Sequence, residues 1–395
     1  MSTQIQDLRA LVDSVKEDVV RWRRHLHMNP ELSFQEEKTS QFVYDTLASF
    51  GAFELSRPTK TSVVARLIGS QPGPVLALRA DMDALPITEE NTFEFVSKNP
   101  GVMHACGHDG HTAMLLGTAK VLAGLKDRIR GEVRFFFQHA EELHPGGAEE
   151  MVKAGVTDGV DAVVGAHLWA SERVGKVLIK AGALMAAPDA FYITIKGKGG
   201  HAAHPNETVD PIVIGAQVVL NLQHIASRNV DPLDPIVVSV CQFHGGTAHN
   251  IIPNTVELVG TVRTLNPELR DRVPELMERI IRGVTSAHGA DYEFRYERGY
   301  RPVLNDEAVT GKVREALLEA FGDELVQEAT PTMGGEDFSA FQAVVPGTFF
   351  FIGAGNPEKG IVYPHHHPRF TIDEDALPAG VAAFLQIVAK FNGLA

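Results

Sequence analysis

Only two cysteines, Cys106 and Cys241, occur in 395 residues, too few and too far apart for the dense disulfide framework of a small secreted domain; a reducing compartment is expected. No apolar run approaches the roughly 18 to 20 residues of a membrane span, and the opening Met-Ser-Thr-Gln-Ile-Gln-Asp-Leu lacks the pattern of a signal peptide. These absences lead us to expect a cytoplasmic protein with no membrane partner. No block of Lys or Arg appears either. With 36 basic against 50 acidic residues the net charge is −14, which argues against non-specific binding to nucleic acid. Heptad runs, internal repeats and low-complexity linkers are missing as well. The remainder, 44% hydrophobic and 22% charged, is ordinary for folded domains, and the length suffices for two of them.

Apolar residues at Leu8, Leu11, Val12, Val15, Val19, Trp22 and Leu26 recur at helical intervals and predict one amphipathic helix, broken at Asn29-Pro30. A second helix is marked by Phe42, Val43, Leu47 and Phe50 and stops at Gly51. Short apolar runs follow, each ending in polar residues: Val75 to Leu78, Val133 to Phe137, and Ala162 to Val164. An Ala- and Leu-rich helix from Thr112 to Leu125 lies between them. This alternation predicts an α/β fold with a mixed, largely parallel sheet flanked by helices, whose ligands gather beyond the C-terminal strand ends.

From residue 187 the pattern changes to strands with one wet face, beginning with Phe191 to Lys196. A helix from Pro211, strands Ile236 to Phe243 and Val256 to Arg263, a helix from Pro267 to Ala287 and a strand Tyr292 to Tyr296 complete a βαββαβ order, that of a ferredoxin-like α+β unit. The helix after Asp306 and the strand Thr348 to Ile352 return to the alternation of helices and apolar strands seen before residue 187. We therefore expect a discontinuous main domain, 1–186 and 299–395, interrupted by an inserted domain, 187–298.

Chemistry concentrates in a few places. Cys106-Gly107-His108-Asp109-Gly110-His111 joins a thiol, two imidazoles and a carboxylate, and a Cys-x-His turn suits zinc-like ions. Glu141-Glu142 leaves the end of an apolar strand, where one carboxylate can bind metal while the other takes a proton from the attacking water. His167 follows another apolar strand. Tyr363-Pro364-His365-His366-His367-Pro368 sets three imidazoles in a proline-bounded loop, any of which could be a ligand.

In order along the chain, Arg24 to Leu32, Ala77 to Pro86, Met103 to Ala113, Gly197 to Ala203, His244 to Pro253 and Met333 to Phe338 resemble the M20 metallopeptidase superfamily, in its amidohydrolase branch of hippurate hydrolases, aminoacylases and auxin-conjugate hydrolases. The resemblance implies a zinc-exopeptidase-like catalytic domain with a lid and dimerisation insertion, and two divalent ions, zinc or manganese. Their implied ligands are Cys106, His108, Glu142, His167 and His366, the last because the family's ligand lies two residues before the proline. Glu141 takes the family's general-base role. Asp83 supports the metal site, with Asp81 able to share that task, while Asp109 and His111 hold the turn and start the helix at Thr112. His201 would stabilise the oxyanion, often from the partner subunit, so a homodimer or higher homo-oligomer is implied; Asn250 and Arg263 would bind substrate.

The implied activity is hydrolysis of N-acyl or N-aroyl amino acids, small molecules with a free carboxylate. A dipeptidase or carboxypeptidase, or a carbamoylase, would use the same chemistry, whereas a metal sensor would not need Glu141. Two departures from the branch pattern stand beside the site: His139 replaces a common proline, and Leu143-His144-Pro145 a glycine run. Either histidine would be a candidate additional ligand.

Overall fold

The structure, a computed structural model, describes residues 3–394; Met1 and Ser2 of the N-terminal segment, and Ala395, lie outside the described residues. Contacts divide the chain into two compact units, Met1–Leu184 with Leu304–Thr330 and Asp337–Ala395, and Met185–Val303 with Pro331–Glu336.

The first unit is built on an eight-stranded sheet ordered Glu54–Ser56, Val63–Ile68, Arg130–Gln138, Gln71–Asp81, Ala162–Arg173, Gly347–Gly355, Val177–Ile179 and Val326–Glu328. Its four central strands, from Arg130–Gln138 to Gly347–Gly355, run parallel. Antiparallel neighbours flank them. Gly347–Gly355 is buried along its whole length, as expected for a parallel strand covered on both faces, and this is why it reads as an unbroken apolar run. The helix His108–Ala123 is buried over nearly all its surface. Glycines let its neighbours come close: a Cβ on Gly117 would lie 2.5 Å from Val19 Cγ2, and one on Gly380 would lie 1.9 Å from Met114 Sδ.

The second unit holds a four-stranded antiparallel sheet, Ile236–Gly245, Thr255–Thr264, Ala187–Lys196 and Asp291–Glu297 in spatial order. Ala187–Lys196 alternates buried and half-buried residues strictly, the mark of a one-faced sheet. Phe191, Ile193 and Ile195 pack with Val218 of helix Pro211–His224 and Val273 of helix Pro267–Ala287. Both helices start alike. Asp210 and Asn266 accept the N–H groups of Ile212 and Glu268 at 2.9 Å, each just ahead of a proline whose missing donor costs nothing in the first turn.

Three expectations need correction. The predicted N-terminal helix is two, Thr3–Asp13 and Lys16–Met28, because Ser14 Oγ donates back to the Leu11 carbonyl at 2.6 Å and closes a turn; its apolar row, Val12, Val15, Val19, Trp22 and Leu26, still runs buried through both. The helix expected from Thr112 begins at His108, one residue after Gly107, which takes φ +98°. A backbone bend of that hand favours glycine. The final helix, Ala376–Asn392, lies beyond the Thr348 to Ile352 strand and has no counterpart among the predicted elements.

Candidate metal centre

Parallel strands deliver the reactive groups to one edge of the central sheet. Arg79 pairs in register with Gly165, so Asp81 at the end of Gln71–Asp81 comes level with His167. Arg130–Gln138 runs out into His139 to Glu142 beside it. This is the carboxyl edge at which open parallel sheets bind ligands.

Two groups of side chains share one sulfur. Cys106, His108 and His167 offer ligand atoms within 4.8 Å of one another, and so do Cys106, Glu142 and His366. Hydrogen bonds orient the rings. His167 Nδ1 donates to the Leu168 carbonyl at 2.8 Å, turning the Nε2 lone pair toward Cys106 Sγ at 3.4 Å. His108 Nδ1 faces the Asp83 carbonyl at 2.9 Å and Asp83 Oδ1 at 3.2 Å. Its Nε2 is buried and has no hydrogen-bond partner among the described residues, although Asp81, Glu141 and Glu142 each bring an oxygen to 3.8 Å. Glu142 Oε1 is buried too, and its near neighbour is His366 Nε2, an ion-pair contact at 3.2 Å. His108 Nε2 and Glu142 Oε1 lie 3.8 Å apart, both within the clustered donor atoms.

The electrostatics fit a cation there. Burial lowers the affinity of His108 for a proton, yet Asp81 and Asp83 outweigh it and raise the imidazole to about 10, the mark of surroundings that favour positive charge. Burial, then Glu142 and Glu141, push the Cys106 thiol well above its ordinary range; only a nearby cation would make it a thiolate. Burial, then His111 and His365, hold His167 well below its ordinary range, in the neutral form that ligates. Soft and hard donors, an orphaned buried nitrogen and a thiol that needs a cation together suit borderline ions.

The three C-terminal histidines part company. His365 is packed against Trp169 and Phe370 and accepts the Ala170 N–H at 3.2 Å, while His367 stacks on Tyr363 and accepts the Arg369 N–H. His366, held at φ +65°, faces Glu142. His111 has both ring nitrogens engaged, Nδ1 with Asp81 Oδ1 at 2.6 Å and Nε2 with the Leu168 N–H at 2.8 Å. Asp109 is tied to Arg23 and His27. His139 is buried against Glu150 Oε2 at 3.0 Å and Thr59, where it anchors the helix Gly147–Lys153.

Asp83 joins the parts, its Oδ2 accepting from Ser33 Oγ at 2.7 Å and from the Glu142 N–H at 3.0 Å. Nothing in the linear pattern signals the support beneath Asp81. Arg79, fully buried, reaches Asp81, Gln138 and Asp337 at 2.5, 2.8 and 2.9 Å. Equally silent in the sequence is Glu36, a buried carboxyl hydrogen-bonded to Ala140 in the segment leading to Glu141.

In the second unit, His201 and Asn250 lie together. His201 pairs with Ile251 in a two-residue ladder, and the Ala202 N–H donates to the Asn250 carbonyl at 3.1 Å. Arg263 is half-buried near the end of Thr255–Thr264, its Nε bonded to Thr261 Oγ1 at 3.2 Å.

A largely parallel sheet with clustered cysteine, histidine and carboxylate donors at its carboxyl edge, and an inserted α+β unit, define a metal-dependent hydrolase. The chain belongs to peptidase family M20/M25/M40, whose model matches residues 77–390. It is 70% identical over 300 residues to an N-acyl-L-amino acid amidohydrolase of Geobacillus stearothermophilus, covering 76% of this chain and 81% of that one. To thermostable carboxypeptidase 1 of Saccharolobus solfataricus it is 42% identical over 391 residues, 98% and 99% of the two chains. A solved Bacillus subtilis structure, described as a dinuclear metal binding peptidase from the M20 family, matches with a TM-score of 0.85 and 36% identity over 97% of this chain and 100% of that one.

Proposed function

We propose that this enzyme hydrolyses the amide bond of N-acyl amino acids, releasing the acid and the free amino acid. The observation that carries the reading is the adjacent pair Glu141 and Glu142, each with an oxygen 3.8 Å from the orphaned His108 Nε2. One carboxylate can then bind metal while its neighbour is left to handle protons. The name of the Geobacillus relative supports the substrate class.

Cys106, His108, Glu142, His167 and His366 would hold two divalent ions, zinc or manganese. When bound, such ions supply Lewis acidity, polarising the scissile carbonyl and making a water more acidic. Glu141 takes the proton of the attacking water and hands it to the departing nitrogen, so one carboxylate serves both halves of the reaction. Asp83 keeps the His108 ring in one tautomer and one orientation. His201 donates to the developing oxyanion, with Asn250 beside it, and Arg263 receives the substrate carboxylate through its planar fork.

The inserted unit serves as lid and dimerisation surface with a hinge near residues 186 and 299, and the enzyme works as a homodimer or higher homo-oligomer in which His201 serves the partner's site. No described helix is long and apolar enough to cross a membrane. Two free cysteines, one buried and one exposed, suit a reducing compartment, and we place the enzyme in the cytoplasm.

A carboxypeptidase reading has the Saccharolobus relative in its favour. Turnover of N-acetyl amino acids, N-benzoylglycine and unblocked dipeptides by the zinc- and manganese-loaded enzyme separates the two. The proposal expects the blocked amino acids to have the higher kcat/KM; a preference for unblocked dipeptides overturns it.

A further inference from the structure

Among the described residues, those other than glycine that hold a positive φ are Phe34 at +65°, Ala140 at +49° and His366 at +65°. All belong to the segments that build the metal centre. Side chains of L-residues crowd the backbone in this conformation, so each needs its surroundings to hold it there. For His366 the Ala105 carbonyl does so, accepting its N–H at 2.8 Å. The other two share one side-chain oxygen, and at Ala140 the carbonyl is tied as well, accepting the Gly147 N–H at 3.0 Å. Glu36 Oε1 accepts the N–H of Phe34 at 3.0 Å and the N–H of Ala140 at 2.8 Å. Its second oxygen accepts from Thr61 Oγ1 at 3.0 Å, and the carboxyl is shut off from solvent.

Both bends serve the same group. The residue before Phe34 is Ser33, whose hydroxyl donates to Asp83 Oδ2, and two residues after Ala140 the Glu142 N–H donates to that same oxygen. Between Ala140 and Glu142 stands Glu141. The bend at Ala140 therefore sets the direction in which Glu141 leaves the strand Arg130–Gln138.

We infer that Glu36 is a positioning residue for the hydrolytic reaction, acting through the backbone of Ala140 to fix where the Glu141 carboxylate stands. The inference rests on the reading of Glu141 as the proton carrier. Glu36 has no place among the clustered ligand atoms, and its own charge is not what the role requires. Burial first and Asp83 second raise its carboxyl to about 7, and an acceptor oxygen aimed at two N–H groups works whether or not the other oxygen carries a proton. A glutamine offers the same oxygen and can give its amide to Thr61.

The test compares kcat, KM and bound metal for Glu36→Ala, Glu36→Gln, the double variant Glu36→Ala with Ala140→Gly, and Glu141→Gln, on an N-acetyl amino acid with the metal-loaded enzyme. Glu36→Ala should lower kcat by about 100-fold, the scale of an ångström-sized misplacement, with KM and metal content held. Glu36→Gln should recover most of that loss. Adding Ala140→Gly should recover part of it, because glycine keeps the left-handed bend without the pin. Wild-type kcat in Glu36→Ala overturns the inference, as does a Glu36→Gln as impaired as Glu36→Ala, a double variant with no recovery, or a loss explained by missing metal. If Glu36→Ala does not fold, Glu36→Asp, which withdraws the oxygen by one methylene, takes its place with the same expectations. Retained turnover in Glu141→Gln would instead remove the proton-carrier reading, and the Glu36 inference with it; an inactive Glu141→Gln beside an unimpaired Glu36→Ala removes the positioning role alone.

Discussion

Asp83 meets His108 twice: the imidazole Nδ1 lies 2.9 Å from its backbone carbonyl and 3.2 Å from its carboxylate. Main chain and side chain of one residue thus fix a single tautomer, leaving Nε2 to point into the cluster. Asp83→Ala should weaken metal binding by roughly tenfold, the low end of the usual 10- to 100-fold for such supporting groups, because the backbone carbonyl stays in place. Competition with a chelator measures it, and an unchanged affinity would reject the supporting role.

Glu141→Gln should lower kcat by roughly 10²- to 10⁴-fold, the range of general acid–base catalysis, while metal content stays at the wild-type value. Elemental analysis alongside turnover checks both halves. Activity near wild type would reject Glu141 as the proton carrier.

Cys106 belongs to both ligand triplets, so its replacement should be felt at each. Cys106→Ser offers a hydroxyl, a poor ligand for borderline ions, and the metal-to-protein ratio should fall toward zero. A full complement by elemental analysis would show that the sulfur is not a ligand.

Stability should depend on pH through Glu36. Its folded carboxyl is raised to about 7 by burial and then by Asp83, against an ordinary 4.5. Between these values the folded state holds a proton that the unfolded state has lost, so the contribution is fully present below about 4.5 and is lost as pH rises through about 7. Glu36→Gln carries no such proton. The stability difference between variant and wild type should move in the variant's favour by roughly 3 kcal/mol across that window. Urea unfolding at its two ends, with metal load fixed, gives the number; parallel curves would contradict it.

Asp189 is buried in the second unit and takes both Nε and Nη2 of Arg270, at 2.9 and 2.6 Å, together with the Tyr296 hydroxyl and the Gly299 N–H. It joins the start of Ala187–Lys196 to the end of Asp291–Glu297 through one carboxylate. Asp189→Ala should cost about 3 to 5 kcal/mol, because the Arg270 charge stays buried without its partner. Thermal unfolding followed by circular dichroism would register a loss of that size, and an unchanged midpoint would deny the clamp its role.

Much of this was legible because it is local. Pro211 and Pro267 mark their helix starts, and alternation from Phe191 to Lys196 reveals a one-faced strand, which the structure extends back to Ala187. The short strands Val177–Ile179 and Val326–Glu328 carry three residues apiece, too few for any period to emerge. The helix start at His108 is masked because Asp109 and Gly110 look like turn residues; Gly107 alone absorbs the left-handed bend and lets the helix begin at once.

By itself the sequence determined which donors exist, in what order, and that apolar strands would carry them to the edge of a largely parallel sheet, since hydrophobic period and turn chemistry are written along the chain. Only the tertiary structure gives like residues their different surroundings. His365, His366 and His367 are equivalent by composition, and packing against Trp169 and Phe370, stacking on Tyr363 and the bend at His366 separate them. His111 stands with both nitrogens engaged because Asp81 and Leu168 come to it from two different strands. Glu36 reaches Ala140 across 104 positions. Hydrogen bonds between segments so distant form only when the whole sheet has closed, and no local spacing records them.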